Sequence, residues 1–122
     1  MTLTAELNRE LDKYANDGVD ISAVITRSGA PIAWHLPSGT SAETLATLSA
    51  TLFGASEVIF TGNAWNKPAK VTVESGPNHG MVTRSLGRKA ILVFMSSKMD
   101  IAMLDKKAAE AEVRIRELMQ NE

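Results

Sequence analysis

The side chains able to do chemistry are few and poorly placed for it. His35 and His79 are the only histidines in the 122 residues, and there is no cysteine. His35 falls in an alternating stretch and His79 in a glycine-framed turn, and neither has carboxylates at a metal-ligand spacing. Each reads as a surface or edge residue. No serine lies in a G-x-S-x-G elbow, and no motif connects Asp100 or Asp105 to a histidine. The glycines match neither G-x-x-x-x-G-K-S/T nor G-x-G-x-x-G, so a phosphate cradle is not written into the chain. These residues specify no catalytic group, no cofactor and no metal, and the expectation is a protein that is not an enzyme. Recognition is better served. Trp65 stands in the polar loop Thr61 to Pro68, where a large aromatic can act as a binding anchor or fold back over a sheet edge. Arg84, Arg88 and Lys89 form a basic group around a turn, which reads as solvated turn charge or as a surface for an acidic partner.

Composition narrows the class. Apolar residues make up 44% and charged residues 22%, with a net charge of -1 and a pI near 6.1. That balance is globular and argues against nucleic-acid binding through phosphates. The length suits one domain, residues 1–122. Met1 to Glu6 lacks the basic start and apolar run of a secretory signal, and no segment reads as the ~20-residue apolar run of a membrane span. A soluble, cytoplasmic protein is expected.

The elements that must carry these residues follow from periodicity. Leu3, Leu7, Leu11 and Tyr14 share one face of a helix from Thr4 to about Asn16, stopped by Asn16-Asp17-Gly18. Asp20 to Thr26 is β-branched and reads as a strand. Arg27 to Ala30 is a tight turn into a second strand, Pro31 to Leu36, with Ile32, Trp34 and Leu36 on one side and Trp34 expected in the core. Thr40-Ser41-Ala42-Glu43 has capping-box spacing and starts a long helix that ends at Thr61-Gly62-Asn63. Ala69 to Ser75 and Met81 to Leu86 form a hairpin around the five-residue turn Gly76 to Gly80. Ala90 to Met95 is an unbroken apolar run, suited to an interior strand covered on both faces. Asp100 is placed to cap a last helix, in which Ile101, Leu104, Ala108, Ala111, Ile115 and Leu118 repeat at three and four. The order is α-β-β-α-β-β-β-α. It predicts an α+β fold with a single five-stranded, mostly antiparallel sheet and helices on both faces.

The long helix from Thr40 to Phe60 is apolar on most of its girth, with no charge between Glu43 and Glu57. Leu45, Leu48, Leu52, Ala55 and Ile59 make one stripe, expected to lie on the sheet. Ala42, Ala46, Ser49, Ala50 and Phe53 make a second stripe of mostly small residues, to be covered by another element of the chain or by a second copy.

From Val19 to Leu104 the pattern resembles the Roadblock/LC7 family: a strand, the Ser28-Gly29 turn, the strand Pro31-Ile32-Ala33, the alanine-studded helix from Ser41, three strands and a final helix. The resemblance implies a homodimer whose central helices meet across a two-fold axis while the third strands pair into one continuous sheet. It also implies a non-catalytic adaptor or regulator, commonly of a Ras-like small GTPase. Carried over by position, the expected interface is Ala42, Ala46, Ser49, Ala50 and Phe53 on the helix with Val71 and Val73 on the strand. Trp65, Arg84 and Arg88 are candidates for the partner surface. Profilin- and longin-like domains share parts of this layout, and a profilin- or PAS-like sensor of a small ligand is the alternative.

Overall fold

The computed structural model describes residues 1–120. Its elements are α1 (Leu3–Ala15), β1 (Ile21–Thr26), β2 (Pro31–His35), α2 (Ala42–Gly62), β3 (Lys70–Gly76), β4 (His79–Ser85), β5 (Ala90–Ser96) and α3 (Ile101–Gln120). This is the α+β order read from the sequence. The strands form one sheet in the order β2-β1-β5-β4-β3, antiparallel at every pairing. Short hairpins account for three of those pairings. The fourth brings β5 back beside β1, which leaves β5 central and β2 and β3 at the edges.

Two layers of helix cover the sheet. α1 and α3 lie on one face, over Val24, Val82, Leu92 and Phe94. α2 lies on the other, over Ala23, Ile25, Ile91 and Val93. The apolar run of β5 is therefore required rather than incidental, because successive residues point into different cores. The caps are local. Thr2 Oγ1 accepts from the Ala5 amide at 3.1 Å, and Asp100 Oδ1 accepts from the Met103 amide at 2.8 Å. For α2 the cap is Ser41, whose Oγ accepts from the Thr44 amide at 3.2 Å, one residue later than the spacing from Thr40 suggests. The β3–β4 turn is tighter than its expected five residues: β4 begins at His79, and the register shifts between Glu74 and Gly76.

The two stripes of α2 are largely exchanged relative to the sequence reading, although Leu45 packs against the core on the sheet as expected. Ala42, Ala46, Ser49 and Phe53 are the buried residues of the helix, with Ala46 and Phe53 fully enclosed against the sheet of the same chain. Leu48 and Ile59 are instead 63% and 62% exposed. The reason is distance. Small side chains let the helix settle close to the sheet and to the β1–β2 turn, where Gly29 adopts φ +96 and an added Cβ would lie 3.2 Å from the Thr47 Cα. Leucines on that face would hold the helix off. Phe53 fills the space that remains, with the Arg27 guanidinium 5.4 Å from its ring centre.

Two further expectations are corrected. Trp34 is exposed rather than core, because it stands on edge strand β2 while its neighbour Ala33 takes the inward position. α2 is also long and apolar enough, by length and composition, to cross a membrane. Its small-residue face is nonetheless packed on a sheet, and Glu57 within it accepts from Arg27 Nη1 at 2.8 Å, so in this fold it is a covering helix.

Candidate functional site

The exposed stripe of α2 and the free edge of β3 are the unpartnered surfaces of the α2 layer. Leu48, Ala55 and Ile59 are exposed along one line of the helix, with half-buried Leu52 between them and Leu45 a turn before. A solvent-facing helix of this length would ordinarily carry Lys and Glu there. The two sheet edges differ. β2 is partly closed by α1, since the Trp34 amide donates to Asn8 Oδ1 at 3.2 Å and a hydrogen bond joins His35 Nδ1 and Asp12 Oδ1. β3 has a strand neighbour on one side only, and Val73, pointing to the α2 side, is 42% exposed while Val71 is half-buried. A bare edge of this kind is a template for pairing with another strand.

Of the residues singled out from sequence, Ala42, Ala46, Ser49 and Phe53 are removed from any contact surface by their burial, and Ala50 is half-buried beside them. Val71 and Val73 stand at the free edge. The signal that separates the helix stripes is side-chain size against the close approach at Gly29, which periodicity does not carry.

Trp65 is 67% exposed and is held by the end of α2 rather than by the sheet edge. The Trp65 amide donates to the Phe60 carbonyl at 2.9 Å and the Ala64 amide to the Thr61 carbonyl at 3.0 Å. That is the paired-bond helix stop in which a left-handed residue normally is glycine. Here the position is Ala64, with φ 60. The accompanying apolar contact is Phe60 against Trp65, edge to face at 5.8 Å. An aromatic pair is thus fixed at the tip of the exposed stripe.

The basic group divides. Arg84 is spent within the chain, donating to Glu112 Oε1 at 2.7 Å and to Asp105 Oδ1 at 2.6 Å, so it is not open to a partner as expected from sequence. Burial would lower its pKa, but the bonds to Glu112 and Asp105 outweigh it and raise the value. Asp105 answers in the opposite sense: burial pushes its carboxyl up, while hydrogen bonds from Lys70 and Arg84 bring it below the ordinary value. Arg88 and Lys89 remain exposed. Among the described residues no group of three or more histidines, aspartates or glutamates is placed to hold a metal ion. The part of the sheet face that α2 leaves open, lined by Ile21, Val73, Met81 and Met95 with Pro37 and His79, forms a groove of about 530 Å³.

No family model and no curated protein matches the sequence. Solved structures do match. Myxococcus xanthus MglB superposes with a TM-score of 0.86 at 14% identity, covering 97% of this chain and 90% of that one. A Roadblock/LC7 domain from Streptomyces avermitilis superposes at 0.67 and 17% identity, covering 97% and 95%. The chain has the Roadblock/LC7 fold. Acanthamoeba castellanii profilin IB shares part of the arrangement, at 0.64 and 16% identity over 94% of this chain and 97% of that one. The MglB superposition is the better of these, with a TM-score of 0.86 against 0.64 for the profilin.

Proposed function

We propose that residues 1–122 form a single Roadblock/LC7-type domain that works as a homodimer. In this reading the exposed Leu48, Ala55 and Ile59, with half-buried Leu45 and Leu52, meet their copies across a two-fold axis, and β3 pairs through Val71 and Val73 with the β3 of the second chain. The observation that carries it is the combination on one layer of a charge-poor exposed helix face and a bare strand edge. Each is a liability in a monomer, and one contact between copies covers both.

The dimer is a non-catalytic adaptor or regulator that binds a Ras-like small GTPase in the cytoplasm. Support comes from the Roadblock/LC7 fold and from the resemblance of the sequence to that family; the fold alone does not assign function. Exposed Trp65 and Arg88 belong to the surface available for a partner. The test is affinity capture from source-cell extract with the intact chain and with Leu48→Glu as bait. A Ras-like GTPase recovered by the intact chain and lost with the monomeric variant supports the reading. An intact, dimeric bait that recovers none overturns it.

The second reading, a sensor of a small apolar ligand, rests on the groove beside Val73. Its volume lies within the ~300–1,000 Å³ usual for ligand sites.

A further inference from the structure

At the end of the sheet where β4 turns into β5, positive charge gathers in a chain whose net charge is -1. Arg27, Lys67, Arg88 and Arg116 line a groove of about 660 Å³ that contains one carboxylate, Glu57. Glu57 is already held in a two-oxygen contact by Arg27, at 2.8 and 2.9 Å. Glu112 is shared between Arg84 and Arg116, and Asp105 between Arg84 and Lys70. Among the described residues no ion pair joins Lys67, Arg88 or Lys89 to a carboxylate.

The turn that presents Arg88 and Lys89 is built to stay still. Arg27 Nε donates to the Gly87 carbonyl at 3.1 Å and Arg27 Nη2 to Ser85 Oγ at 2.7 Å. From the α3 side, Arg116 Nη2 donates to the Ser85 carbonyl at 2.8 Å. Gly87 takes φ +99 between these anchors, a conformation that suits glycine. The two arginine side chains thus hold the backbone just before these cations, and the Arg27 amide donates to the Lys89 carbonyl at 3.1 Å. A surface held in place before contact loses less entropy on binding.

A second depression of about 270 Å³ adjoins the first across Arg88 and Arg116, and adds Lys89, Leu86 and Met119. Leu86 is buried and Met119 half-buried, so this part has an apolar floor beneath a charged rim. A single phosphate would occupy only one recess. A flat anionic membrane surface would not reach into either.

We propose that this paired groove binds a short acidic segment of a protein partner in extended form. Its carboxylates would lie on Lys67, Arg88 and Lys89, and one apolar side chain would rest on Leu86 and Met119. The proposal is independent of the α2 interface and of the identity of any GTPase.

The probe is a fluorescein-labelled peptide alternating Asp and Glu around one Leu, followed by anisotropy at low and raised salt. The folded double variant Lys67→Glu/Arg88→Glu should bind about tenfold or more weakly, from the added effect of reversing two exposed charges. Lys106→Glu, which reverses a cation on the exposed side of α3, should leave binding unchanged, and replacing the peptide Leu by Ser should weaken it. Added salt should weaken binding as well. Four results would each overturn the proposal: no binding at low salt, equal loss in Lys106→Glu, full displacement by millimolar inorganic phosphate, or groove-dependent capture by phosphatidylserine vesicles without peptide binding.

Discussion

Replacing Leu48 separates the two assignments of α2 most directly. In the protomer this side chain is 63% exposed. Full burial of a leucine is worth ~2 kcal/mol, so covering the exposed share contributes about 1.3 kcal/mol per chain and about 2.5 kcal/mol in a two-fold dimer. Leu48→Ala removes most of that, about 2 kcal/mol, which corresponds to roughly a 30-fold rise in the dimer Kd. Leu48→Glu goes further, because a carboxylate trapped at the interface adds a desolvation cost of several kcal/mol, and a folded monomer is expected. Ala46→Glu should behave differently. Ala46 has no exposed surface and lies between α2 and its own sheet, so the charge is expected to unfold the protomer. Sedimentation across a concentration series measures association, and circular dichroism with thermal melting measures folding. The reasoning is refuted if Leu48→Glu sediments as the wild-type dimer, or if the wild type is monomeric at tens of micromolar. A folded Ala46→Glu monomer would restore the opposite assignment of the stripes.

Two predictions concern stability. Ala64→Gly relieves a left-handed residue at the end of α2 and should raise stability by about 1 kcal/mol, measured by urea unfolding; an unchanged or lower midpoint would show that the position is unstrained. The Asp20 carboxyl is held down to about 2, chiefly by its bond from Lys98 Nζ; burial opposes this, and the bonds from the Ser97 hydroxyl and amide add to it. Because the folded value lies below the unfolded one of ~3.9, the contribution is fully present above about pH 5 and is lost as pH falls toward 2, and solvent screening reduces it to ~1 kcal/mol. Asp20→Asn should therefore be less stable than wild type near neutrality and similar to it near pH 2. A difference that persists undiminished at pH 2 would count against this account.

Much of the fold is legible in the sequence because it depends on local rules. The period-two and period-3.6 patterns, the Asp100 cap, the turn at Gly87 and the unbroken run of β5 each specify their element without reference to distant contacts. Trp34 was less legible, since alternation marks a side of the strand but does not say that β2 is an edge strand. Arg84 had the same difficulty: its partners, Asp105 and Glu112, are brought near only when α3 packs over β4.

For α2 the sequence alone determined that both faces are apolar and that Leu45, Leu48, Leu52, Ala55 and Ile59 form a stripe distinct from Ala42, Ala46, Ser49 and Phe53. Only the tertiary structure decided which stripe faces inward. Hydrophobicity places leucine inside, but the distance between helix and sheet is set by contacts far apart in sequence, including the turn at Gly29 against Thr47. At that close approach the small side chains fit, Phe53 fills the space beside them, and Leu48 and Ile59 are left on the outside of the fold.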